Sequence, residues 1–184
     1  MKNKKLILAS SIAMVLVVGA LVATLVLSSV LATRANGNPV NGSNASGAIV
    51  IAWNKELLHI VKTPGAQPAT VHPTRSYAIL HAAIYDAVVS ITRDAPASVF
   101  SVNAPRSARA DAAAATAGHD TLVALYPKWK VALDQLLASE LATIPGGAGK
   151  QQGIQVGQAV AARLIAIRAD DGSAATAQPF VPGN

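Results

Sequence analysis

Four histidines, His59, His72, His81 and His119, are the side chains of this 184-residue chain that titrate near neutral pH, and one of them lies between an arginine and an aspartate. Arg75, His81 and Asp86 bring together a cation, an imidazole suited to acid–base work and a carboxylate. Their spacing argues against joint action. At about 100° per residue on a helix, His81 and Tyr85 share a face while Asp86 sits about 140° away, so Asp86 does not reach His81. A zinc ligand set needs three or more convergent donors, and no His-x-x-x-His pair occurs. Each histidine has a structural reading instead. His59 lies near the end of its helix, where a donor suits the exposed carbonyls. His72 precedes Pro73 in a connection, and His81 and His119 face partly into a bundle. There they are expected to bond to one another across two helices, with Asp86 and Asp120 as solvent or cap partners. No catalytic, cofactor-binding or metal-binding residue is assigned. The absence of cysteine excludes disulfides, thiolate metal sites and a catalytic thiol.

The elements that would position these residues follow from the ten prolines, all between or at the edges of apolar-periodic segments. Five helices emerge. The first, about 48–62, places Val50, Trp53, Leu57 and Val61 on one stripe. The second opens at Pro73, a favoured first-turn residue, and carries Tyr77, Leu80, Ile84, Val88 and Ile91. Ser107 is the expected N-cap of a third, alanine-dense helix that runs to Leu125 and Tyr126 and stops at Pro127. A fourth presents Trp129, Leu133, Leu136, Leu137 and Leu141. The fifth, about 150–169, turns Ile154, Gly157, Val160, Ala161, Leu164 and Ile165 inward, and Asp170-Asp171-Gly172 ends it. Gly153 and Gly157, four apart, read as a notch admitting a neighbouring helix. No period-two stretch is bounded by turn signals. The expected fold is all-α, a helical bundle over 48–172, and two Trp, three Tyr and two Phe among many alanines imply close helix packing. Residues 173–184 read as an extended connection.

Ahead of the bundle, Leu6 to Leu31 is an apolar run free of charge and proline, led in by Lys2, Lys4 and Lys5. Its length suits a spanning helix, and the lysines place the following domain outside the cytoplasm. A long cleavable signal is the alternative, since Val30-Leu31-Ala32 and Thr33-Arg34-Ala35 carry tolerated residues for signal peptidase. Residues 1–33 are therefore a signal anchor or signal peptide, and 34–47 an Asn/Gly/Ser linker. The formal charge of +6 overstates basicity. Four of the fifteen basic residues (Lys2, Lys4, Lys5, Arg34) flank the run, leaving eleven against nine acidic ones, which gives no argument for nucleic acid.

Four segments resemble, in order, the N-terminal helical half of bacterial vanadium-dependent haloperoxidase-like proteins, relatives of the type-2 phosphatidic acid phosphatases. They are Trp53-Asn54 with Leu57-Leu58; Leu80-His81-Ala82-Ala83-Ile84-Tyr85-Asp86-Ala87-Val88; Leu122-Val123-Ala124-Leu125-Tyr126-Pro127; and Gly153-Ile154-Gln155-Val156-Gly157 with Ile167-Arg168-Ala169-Asp170-Asp171-Gly172. The resemblance implies a vanadate or phosphate oxyanion caged by a lysine with a later Arg-Pro, a Pro-Ser-Gly-His, and an arginine–histidine–aspartate set. The chain contains neither Arg-Pro nor Ser-Gly-His, and Arg75, His81 and Asp86 only approach the third signature. The resemblance therefore implies an exported N-terminal part, inactive alone, with vanadate belonging to the full-length family. Its partners would be the membrane through residues 6–31, and the missing C-terminal bundle or a second copy through an exposed apolar face of the second, third and fifth helices. A membrane-tethered, non-enzymatic interaction module is the alternative, and a metal-binding exported domain built on the histidines is a third reading.

Overall fold

The computed structural model describes residues 47–67, 72–173 and 175. The apolar run, the linker up to residue 46 and most of the C-terminal connection lie outside the described residues. Five α-helices and no strand are found among those described: α1 (Gly47–Lys62), α2 (His72–Thr92), α3 (Ala110–Leu125), α4 (Lys130–Thr143) and α5 (Ala148–Ile167), with a 3-10 turn at Pro127–Trp129. The all-α expectation holds. No helix among the described residues is long and apolar enough to cross a membrane.

Helix α3 is the axis of the bundle. From Ala110 to Leu122 every residue except Asp120 is buried, so its neighbours enclose this helix on all sides. Alanine makes that possible, because a methyl group lets neighbouring backbones approach where leucine would hold them apart. One side of α3 (Ala112, Ala114, Ala115, Leu122) packs with Trp53, Leu57 and Ile60 of α1, Leu80 and Ile84 of α2, and Leu133 of α4. The other (Ala113, Ala117) packs with Ile79, Ala83 and Ala87 of α2 and Val156, Val160 and Leu164 of α5.

The closest joint is α3 on α5. A Cβ at Gly157 would lie 2.5 Å from the Ala113 carbonyl oxygen, and one at Gly153 would meet Ala112 Cβ at 2.9 Å and press on the Arg109 carbonyl. Gly149 continues the row, its Cβ position 2.7 Å from the Ser107 carbonyl oxygen. The notch read from Gly153 and Gly157 thus receives α3 and extends one turn further toward the helix start. On the α1 side Gly118 does the same, since a Cβ there would fall 2.7 Å from the Trp53 ring.

Several boundaries differ from the sequence reading. The buried stripe of α1 is Ile49, Trp53, Leu57 and Ile60; Val50 and Val61 flank it half-buried. Two stripes satisfy the three-and-four spacing, and contact with α3 selects this one. Ser107 does not cap α3. Its hydroxyl donates to Gln152 Oε1 at 2.9 Å, Arg109 is the cap residue, and the Arg109 N–H donates to the Gly149 carbonyl at 2.9 Å. Asp111 serves the first turn, accepting from the Ala112 N–H at 2.8 Å, an anion where the helix dipole favours one. Trp129 belongs to the 3-10 turn, as Pro127 tightens that segment before α4 starts. In α5, Val156 is buried while Ile154 and Ile165 are only half-buried.

Candidate functional site

The Arg75, His81 and Asp86 side chains serve three separate joints. Arg75 starts α2 and reaches the end of α5, where Nε donates to Asp171 Oδ2 at 2.7 Å and Nη2 to the Arg168 carbonyl at 3.1 Å. The Arg75 guanidinium and Ser173 hold the Asp171 carboxyl well below the usual carboxylate range. Beside this pair, α2 and α5 bound a cavity of about 250 Å³, lined by apolar Ala78, Ile79, Ala82 and Leu164 and by the charged Arg75, Arg168 and Asp171.

His81, one and a half turns further along α2, bonds through Nε2 to Asn54 Oδ1 of α1 at 3.1 Å and stacks on Tyr77, ring centres 6.3 Å apart and planes 12° from parallel. Desolvation pushes the Tyr77 hydroxyl above its ordinary pKa.

Asp86 is fully buried, which corrects its reading as a solvent or cap partner. Its Oδ1 accepts the Ser98 N–H at 2.6 Å, and Oδ2 accepts those of Val99 and Phe100 at 3.1 and 3.2 Å. One turn on, Ser90 Oγ donates to the Asp86 carbonyl at 2.7 Å and accepts the Val102 N–H at 3.0 Å. Tyr85 donates to the Pro96 carbonyl at 2.9 Å, and Arg93, which ends α2 at φ 55°, donates to the Ala104 carbonyl at 2.8 Å. Residues of α2 therefore satisfy the backbone of the α2–α3 connection, which is too short of regular structure to satisfy itself.

The other histidines also find separate partners. His119 does not meet His81. Its Nδ1 lies 2.7 Å from Asp120 Oδ1 and its Nε2 2.9 Å from Asp134 Oδ1 on α4, and its ring edges against Trp53 at 6.2 Å. Burial opposes a charge on this imidazole, but hydrogen bonds to Asp120 and Asp134 outweigh it and raise the pKa. Asp134 in turn is lowered by Lys130 first and His119 second. The two nitrogens of His119 point at different carboxylates, so this is a clamp between helices and not a ligand set; among the described residues no group of three or more His, Asp or Glu converges as a metal site. His59 edges against Trp129 at 5.3 Å, and His72 Nε2 bonds to the Ser173 carbonyl at 3.2 Å.

Near the bundle's other end the Tyr126 hydroxyl bonds to Gln67 Oε1 and Ser76 Oγ at 2.5 and 2.7 Å, and burial raises its pKa despite the Ser76 bond. Nothing in the spacing of Gln67, Ser76 and Tyr126 announces that triad, which joins three distant segments. Asp86 and Ser90 did carry a signal: two polar residues one turn apart on the buried face of an amphipathic helix require partners from another segment. No family model, no curated protein and no solved structure matches this chain.

Proposed function

We propose that this chain is the helical N-terminal part of an exported vanadium-dependent haloperoxidase-like protein of the phosphatidic acid phosphatase superfamily, and that these residues alone build no oxyanion cage. What supports the second half is the occupation of six of the eleven basic side chains among the described residues. Arg75 is paired with Asp171, Arg109 with Asp111 and Lys130 with Asp134. Arg93 and Lys150 donate to carbonyls of Ala104 and Leu141, and Arg163 lies over the Phe100 ring at 4.3 Å. An oxyanion cage needs several cations and N–H groups aimed at one point; these six serve six different places.

The resemblance supports the first half, and its segments supply the joints of the bundle. Trp53 fills the Gly118 notch, His81 and Asp86 tie α2 to α1 and to its own following connection, Leu122 and Tyr126 close α3, and Gly153 and Gly157 seat α3 on α5. The assay is bromide oxidation with peroxide and orthovanadate. The reading expects no vanadate-dependent turnover from this chain, and turnover lost on Arg75→Ala would contradict it.

A second reading, a membrane-tethered interaction module without enzymatic role, draws on Ile51 and Leu58, which α1 turns to solvent. Light scattering coupled to size exclusion separates the two: a stable dimer or complex supports the module, and a monomer that aggregates supports the first reading.

A further inference from the structure

Helix α1 presents to solvent a stripe of two aliphatic and two lysine side chains. Ile51 and Leu58 are 55% and 44% exposed, and Lys55 and Lys62 are exposed beside them. At about 100° per residue these four positions fall within an arc of about 60°, directly opposite Ile49, Trp53, Leu57 and Ile60. No acidic residue lies in the arc; Glu56 is on the flank, about 100° round from Lys55. Neither lysine has an internal partner among the described residues. A surface stripe of two aliphatic groups and two uncompensated ammonium groups is the pattern of a helix that rests on an interface, with apolar groups at the acyl boundary and lysines at the phosphates.

We infer that the Ile51–Lys55–Leu58–Lys62 stripe of α1 docks on an anionic lipid surface and holds the bundle against the membrane in a fixed orientation. The inference rests on the reading of residues 6–31 as a membrane anchor. Residues 32–46, at about 3.5 Å each when fully extended, span at most about 50 Å, so the membrane entered by the anchor is always within chain reach of α1. Such tethering raises the effective concentration of the surface to a level at which a small contact suffices. Charge complementarity selects the lipid: zwitterionic headgroups give Lys55 and Lys62 no net attraction, whereas anionic ones do.

The absence of cysteine makes the test direct. The full chain bearing Leu58→Cys, labelled with an environment-sensitive fluorophore, is reconstituted one copy per lipid nanodisc, beside a chain labelled through Gln158→Cys on exposed α5. With anionic phosphatidylglycerol discs, a lipid-borne quencher is expected to quench the label at 58 at least about threefold more than the label at 158. Phosphatidylcholine discs, Lys55→Gln with Lys62→Gln, or about 1 M salt, where the screening length falls to about 3 Å, should abolish the difference. Equal quenching at both sites, or quenching indifferent to lipid charge and to the lysines, overturns the inference. Quenching that grows with copies per disc assigns the stripe to a second chain and also overturns it. A chain that does not stay with the discs contradicts the anchor reading separately, and titrating the same labelled chain onto phosphatidylglycerol vesicles then decides the stripe by the same comparison.

Discussion

His119 on α3 and Asp134 on α4 meet at 2.9 Å, and Asp120 holds the other ring nitrogen at 2.7 Å. With a carboxylate at each nitrogen, both must donate, so the bound form is the imidazolium. Because the folded state raises the pKa above the ordinary 6.5, this stabilisation is fully present below about 6.5 and is lost as pH rises through the folded value. Chemical denaturation between pH 5.5 and 8.5 should show stability declining across that window. His119→Gln should flatten the decline, and a wild-type profile that rises with pH would contradict the clamp.

Asp171 works with the opposite sign. Its carboxyl is held below the ordinary 3.8, chiefly by Arg75, so its contribution is present above about 3.8 and is lost as pH falls below it. Asp171→Asn should lower stability at pH 6 and leave the loss between pH 4 and 2 shallower than in the wild type, as read by thermal melts across that range.

Replacing Asp86 by alanine removes one buried acceptor group from three backbone N–H donors. Unsatisfied buried donors cost about 1–3 kcal/mol each, and water will reach some of these, so a total near 3–5 kcal/mol is expected. Asp86→Asn keeps an acceptor oxygen and should cost less, about 1–2 kcal/mol. Hydrogen exchange at Ser98, Val99 and Phe100 should accelerate in both, and unchanged exchange would refute the anchoring role.

The glycine notch predicts a steep position dependence. Gly157→Ala and Gly153→Ala push a methyl into backbone of α3, and overpacking of that kind costs about 1–3 kcal/mol or more. Gly146→Ala, where a Cβ meets nothing within 4 Å, should be neutral within about 0.5 kcal/mol. Equal melting temperatures for Gly157→Ala and Gly146→Ala would show that the helices are not this close.

The bundle was largely legible because its signals are local. Proline punctuation and three-and-four spacing mark all five helices, and Gly153 with Gly157 marks the closest joint. What was not legible depends on partners distant in sequence. The phase of α1 turns on whether Ile49 or Val50 meets α3, and both are β-branched aliphatics of similar size. Ser107 has the chemistry of an N-cap, but Gln152 competes for its hydroxyl and Asp111 serves the helix start. His81 and His119 looked like a pair because both lie on inward helices, yet Asn54 lies 27 residues from one and Asp134 15 residues from the other.

Whether Arg75, Arg93, Arg109, Lys130, Lys150 and Arg163 hold the bundle and cage no oxyanion is read by following the 51V resonance of orthovanadate while the full chain is titrated in. The line is expected to keep its position and width up to equimolar protein. A saturable broadened line that disappears on Arg75→Ala or His81→Ala would contradict it.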